Sequence, residues 1–151
     1  MKMFRRTVDH ARAQQQLEDE VRRLGALIGA GDADLVAFGN RDGGYPWASV
    51  DESGVYHWIV TERGQELQHR KTRDLDEMLF WCLEATTWSM GGDWALRHPV
   101  AGEEQRVTRW RKQFALLATI NPEWPHRARQ RLIERIEPAN LPEGGIPPAD
   151  G

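Results

Sequence analysis

The spacing of apolar residues changes period along the chain, and each change marks a new kind of element. Leu17, Val21, Leu24 and Ile28 recur at steps of four, three and four, the stripe of an amphipathic helix packed against something else. Gly29, Ala30 and Gly31 close it, because helices end most readily where glycine adopts a left-handed conformation. This helix is expected over roughly residues 8–29. The period then drops to two. Leu35-Val36-Ala37-Phe38 is a short apolar run that ends in the turn signal Gly39-Asn40-Arg41-Asp42-Gly43-Gly44. Trp47 to Asp51 reads as a strand, Glu52-Ser53-Gly54 as a turn, and Val55 to Thr61 as a β-branched and aromatic strand. Arg63-Gly64 turns the chain again, and Glu66 to Arg70 alternates weakly. Connections this short predict an antiparallel meander of three or four strands, since parallel pairs ordinarily need a long crossover. Within Val55–Thr61, Tyr56, Trp58 and Val60 share one face, and Val55, His57, Ile59 and Thr61 share the other.

The second half returns to helical spacing. Asp74 and Glu77 fit a capping box. Leu75, Met78, Leu79, Cys82, Leu83, Thr86 and Met90 then form a 3.6-residue stripe, and Gly91-Gly92 predicts that the helix ends or bends there. A third helix carries Val107, Trp110, Phe114 and Leu117 on one side. A fourth opens with Asn121-Pro122-Glu123 and buries Trp124, Ala128, Leu132 and Ile136. The fold class is therefore α+β: an N-terminal helix, a small antiparallel three- to four-stranded meander, then three C-terminal helices packed on one sheet face. Residues 1–136 read as one domain. Residues 137–151, EPANLPEGGIPPADG, read as a flexible Pro/Gly-rich tail.

Composition narrows the function classes. A length of 151 residues fits one domain. Twenty Lys+Arg against 23 Asp+Glu give a net charge of -3, which excludes an overall basic nucleic-acid footprint. No apolar run approaches the ~20 residues of a membrane span. The N-terminus lacks the apolar core of a signal peptide, and the single cysteine, Cys82, excludes an internal disulfide. A cytoplasmic setting is expected. Seven tryptophans stand against two tyrosines, and tryptophan belongs in cores and at protein interfaces.

Catalytic patterns are sparse. His10, His57, His69, His98 and His126 include no i, i+4 pair that would offer two metal ligands from one helix. Cys82 lies on an apolar stripe, where a thiol is a small core residue. Gly39–Gly44 lacks the lysine and the strand–helix context of a phosphate loop, and there is no GxSxG elbow. No cofactor, metal or small-molecule substrate is expected. Asp51, Glu52, Glu62 and Glu66 lie near His57 and Arg63 in the chain. The alternative to a binding protein is thus a small hydrolase using His57 with Glu62 or Asp51, although acids at hairpin turns are normally just solvated. Arg106, Arg109, Arg111, Lys112, Arg127, Arg129, Arg131 and Arg135 are opposed within that stretch only by Glu123 and Glu134. They suggest either the solvated side of two helices or a local nucleic-acid patch, though no base-reading motif accompanies them. On the helix after Asp74, Glu77, Trp81, Glu84 and Trp88 fall opposite the main stripe. The simpler reading is a central helix buried on both sides. The other is an acidic–aromatic surface that receives a partner.

Particular words in the chain sharpen this choice. Gly44-Tyr45-Pro46-Trp47-Ala48-Ser49-Val50-Asp51, Val55 to Glu66, Thr72 to Trp81 and Asn121-Pro122-Glu123-Trp124 together resemble the bacterial polymorphic-toxin immunity proteins of the immunity protein 63 family. The resemblance covers about residues 35–130 and implies a non-enzymatic cytoplasmic protein that binds and neutralises a cognate toxin domain. It supplies no catalytic residues. The contact residues expected from the chain's own charges and aromatics are Asp51, Glu52, Glu62, Glu77, Trp81, Glu84, Trp88 and Trp94. Against a nuclease toxin, the acids among them would mimic phosphate.

Overall fold

The computed structural model describes residues 2–150, with side-chain surroundings from Asp9 onward. The first helix, α1, spans Lys2–Leu27. Gly29 takes a φ of +72°. The Gly29 and Ala30 amides donate back to Ala26 and Gly25 at 3.3 and 2.9 Å, the paired bonds that close a helix on a left-handed residue. Four strands follow: β1 (Ala37–Phe38), β2 (Pro46–Val50), β3 (Tyr56–Glu62) and β4 (Gln65–Thr72). They lie side by side in chain order. The last two pairings are antiparallel. Arg63 and Gly64 both have positive φ (52° and 75°), the conformation that matches a two-residue hairpin to strand twist.

The first pairing corrects the all-antiparallel expectation. β1 runs parallel to β2, with Ala37 opposite Trp47 and Phe38 opposite Ala48. Two residues advance only about 7 Å, so the loop from Gly39 to Tyr45 returns the chain to its starting level without a helical crossover. Gly39, Gly43 and Gly44, all at positive φ, make that reversal possible. Because β1 is so short, it leaves the edge of β2 unpaired beyond Ala48. Helix α1 completes it: Gln14 Oε1 accepts from the Val50 amide at 3.0 Å, and His10 Nε2 bonds to the Val50 carbonyl.

Helix α2 spans Leu75–Arg97, α3 Gln105–Ile120 and α4 Trp124–Arg135. Asp74 caps α2 by accepting from the Asp76 amide at 3.0 Å. Helix α2 lies across β3 and β4, α1 covers β2, α3 packs on α2, and α4 packs on α3. The covered sheet face carries Ala48, Val50, Tyr56, Trp58 and Val60, all buried. They join Leu17 and Val21 of α1, Met78, Phe80 and Leu83 of α2, and Trp110, Phe114 and Trp124 beyond. Cys82 is fully buried in this core, and desolvation pushes its thiol up to about 12.

Two local expectations change. Helix α2 does not end at Gly91 and Gly92 but continues through them to Arg97. A Cβ on Gly91 would stand 2.7 Å from the Arg109 carbonyl oxygen, and one on Gly92 only 2.3 Å from the Arg109 guanidinium. The glycines are there so that α3 can approach, and the helix does not break. The chain after α4 is laid back on the protein, where its composition predicts a flexible end. Pro142, Ile146, Pro147 and Ala149 are buried. Arg129 donates to the carbonyls of Pro147 and Ile146 at 2.9 and 3.3 Å. The few apolar residues of this segment suffice because they cover a core that already exists.

Candidate functional site

Helix α2 divides at about its midpoint. From Met78 to Leu83 every residue is buried, so Trp81, at 8% exposure, belongs to the core. The C-terminal half emerges: Trp88 is 48% exposed and Trp94 39%, and Leu96 and Val100 are exposed beyond them. Both tryptophans receive a cation from α3. The Arg109 guanidinium lies 3.4 Å from the centre of the Trp88 ring, and its Nε donates to the Trp88 carbonyl at 3.0 Å. Lys112 Nζ stands 3.9 Å over the Trp94 ring, whose other partner is His98, stacked at 3.6 Å with planes 15° apart. Partial burial lowers the pKa of Arg109, with Asp93 opposing the shift. The seam between α2 and α3 thus presents two large aromatic surfaces whose orientation is held by fixed charges. Tryptophan and arginine are the residue types that concentrate binding energy in protein interfaces.

The acidic residues expected beside them are not gathered there. Asp51 and Glu52 lie at the β2–β3 turn and Glu62 at the β3–β4 turn, at opposite ends of a seven-residue strand that is about 20 Å long. Glu77 is in the first turn of α2. Glu84 is committed to Arg131 of α4 at 2.7 Å. Together they make no continuous acidic face around the seam.

Sequence reading missed a polar chain on the uncovered face of the sheet. His57 and His69 come from adjacent strands. Nδ1 of His57 is 2.7 Å from Nε2 of His69, His57 Nε2 is 2.8 Å from Asp51 Oδ2, and His69 Nδ1 is 3.2 Å from Glu66 Oε2. The only signal in the chain was the alternation that puts His57 on the face opposite Trp58. Asp51 also accepts from the Ser53 and Val55 amides. The hydrogen bond to His57 comes first, and these amides also help hold its carboxyl below the usual carboxylate range. The Asp51–His57 pair has the form of an oriented base, but the free side of His57 faces an imidazole and not a nucleophile, and Glu62 is exposed at the far turn. The main cavity lies on the opposite face of the sheet, lined by Trp58, Val60 and Arg70. Among the described residues no group of three or more His, Cys, Asp or Glu could hold a metal ion.

The basic stretch is largely used inside the protein. Arg106 pairs with Glu104, Arg111 with Glu103, Arg127 with Asp76 and Arg131 with Glu84. Arg109 and Lys112 lie on tryptophans, and Arg129 holds the C-terminal segment. These side chains belong to several separate contacts and do not line one groove.

The fold and the site define an α+β domain whose central helix is core at one end and an exposed aromatic–basic seam at the other. Residues 52–134 match the Immunity protein 63 family, which is more than half of the chain, and the protein belongs to that family. The matched region runs from the β2–β3 turn nearly to the end of α4 and so contains both sides of the seam. No curated protein and no solved structure matches the chain.

Proposed function

We propose that this protein is a cytoplasmic immunity protein that neutralises a cognate toxin domain by binding it, without catalysis of its own, and that the α2–α3 seam around Trp88 and Trp94 is the contact surface. Membership of the immunity protein family supports the class. The observation that carries the surface is the pair of exposed tryptophans, each with a cation from α3. Exposing so much indole to water is unfavourable by about 25 cal/mol per Å², and a partner that covers both rings recovers that free energy. Of the residues expected from the chain, Trp88 and Trp94 remain in the proposed contact set. Asp51 and Glu84 are already engaged internally.

The test uses the toxin domain encoded beside this gene. Co-expression is expected to protect cells, and calorimetry on the mixed proteins is expected to show a complex. Trp88→Ala and Trp94→Ala should each weaken it by about thirtyfold, the scale of an interface hot spot. Absence of protection and of a complex overturns the function. A tight complex that the double substitution leaves untouched overturns the surface. Charge reversal at Glu52, Glu62 and Glu77 is expected to leave affinity unchanged, and a large loss there would move the contact to the acidic residues.

A further inference from the structure

Between the covered sheet face and α4 lies a cavity of about 510 Å³, with Arg70 in its lining. Most of β4 is exposed, but the pairing that sets Arg70 opposite Trp58 turns its side chain towards the covered face, where Gln68, opposite Val60, also lines the cavity. Its guanidinium lies 4.0 Å from the centre of the Trp58 ring and 4.8 Å from that of Trp81. Aromatic faces stabilise the charge through its flat side. They do not accept from N–H groups that radiate in the guanidinium plane.

Those donors are unanswered. Arg70 Nε and Nη1 are buried without a hydrogen-bond partner, and so is the indole Nε1 of Trp58, a residue that shares the lining of the cavity with Arg70. Three of the five such atoms among the described residues are therefore on two neighbouring side chains. Each orphaned donor is unfavourable, so the cluster calls for an acceptor. The surrounding charge has the same sense, since Arg41, Arg70, Arg131 and Arg135 line the cavity against two carboxylates, Asp34 and Glu84. Glu84 is already bonded to Arg131 at 2.7 Å. Desolvation, followed by repulsion from Arg131, lowers Arg70 to about 10, with Arg135 adding to it and Glu84 opposing it. Buried charges are ordinarily paired, and here the folded chain supplies donors and positive charge without the matching acceptor.

We propose that this cavity binds an oxyanion, a phosphate or carboxylate group, held in the plane of the Arg70 guanidinium with Arg131 and Arg135 around it. An arginine fork matches two oxygens of such a group at once. The two tryptophans hold the fork in position, and the volume leaves room for a small organic portion beyond the anionic head. The site stands on these residues alone and does not rest on the toxin-binding reading.

Tryptophan fluorescence and calorimetry test it on the full chain. Inorganic pyrophosphate and succinate serve as the phosphate and carboxylate probes, with potassium chloride at matched ionic strength as the control. At least one probe is expected to bind saturably at millimolar concentration or below, to change the emission of Trp58 and Trp81, and to raise Tm in proportion to the logarithm of its concentration. Preference for pyrophosphate assigns a phosphate ligand, and preference for succinate a carboxylate. Arg70→Met should weaken binding at least about tenfold, the effect of losing hydrogen bonds to a charged group. Arg70→Lys keeps the charge but loses the fork, and should also weaken it. Arg135→Gln, at the rim, should cost a few-fold and carries the test if substitutions at Arg70 fail to fold. Arg23→Gln, on α1 beside Glu20, should change nothing. The proposal is overturned if neither probe binds at 10 mM (about the weakest affinity worth assigning to a site), if chloride reproduces the effect, or if folded Arg70→Met binds as the wild type does.

Discussion

At the scale of single residues, several side chains have duties that their neighbours impose. In the sequence Asp51 is one of several acids at turns. In the fold it accepts from two backbone amides of its own hairpin and from His57, which makes it the pin of the β2–β3 turn. Its carboxyl is held below the ordinary value of 3.8. A carboxylate depressed in the folded state contributes stability above its unfolded pKa and loses it as pH falls through the folded one. The Tm gap between wild type and Asp51→Asn is therefore expected to be widest above about pH 4 and to close towards pH 2. Thermal denaturation across that range checks it, and a gap independent of pH would show that the charge on Asp51 contributes nothing to stability. The histidine chain was illegible for a plain reason: His57 and His69 are twelve residues apart, and only strand register brings their rings together.

At the scale of elements, the glycine pair of α2 shows how a local signal is read against its context. Glycine inside a helix costs about 1 kcal/mol relative to alanine, so Gly91-Gly92 argues for an end or a bend. Helix α2 accepts that cost because α3 passes where a Cβ would be. The two positions are not equivalent. At Gly91 the obstructing atom is the backbone carbonyl of Arg109, and at Gly92 it is the end of the flexible Arg109 side chain. Gly91→Ala is expected to destabilise the protein by about 1–3 kcal/mol despite its better helix propensity, since α3 must shift to admit the methyl. Gly92→Ala should be close to neutral in stability while displacing Arg109 from Trp88. Thermal melts rank the two, and a Gly91→Ala protein as stable as wild type would contradict the close-approach reading. In the sheet, too, the strands were legible from their alternation, but the direction of β1 was not. A two-residue strand carries too little pattern to state its pairing.

At the scale of the whole molecule, the segment after α4 is part of the packed structure. Ile146 is 7% exposed within the core, and Arg129 bonds its carbonyl and that of Pro147. Ile146→Ala is expected to cost about 2–4 kcal/mol. That lowers Tm by several degrees, at roughly 2–4 °C per kcal/mol for a chain of this size. Removal of residues 141–151 should cost at least as much. A Tm unchanged in both variants would mean that this contact is marginal and that residues 1–136 stand alone. The uneven covering of α2 also belongs to this scale. Its first half is buried from Met78 to Leu83, while along its second half α3 covers one side and leaves Trp88 and Trp94 partly exposed. The buried and partner-facing readings of the helix apply to different halves of it.

The sequence by itself determined the kinds of element, their order, the covered face of β3 and most of the core. Each of these depends on periodicity along the chain, and solvent imposes that periodicity locally. It also carried the words by which the family is recognisable, and it placed Trp110 and Trp124 on buried stripes, where both are found. Tertiary structure decided which tryptophans stay uncovered, which acids are already paired, and that Arg70 turns inward beneath Trp58 with no acceptor. Those outcomes depend on what a distant segment places opposite a residue. Side chains of the same type, such as Trp81 and Trp88, look alike in the chain and differ only in what covers them.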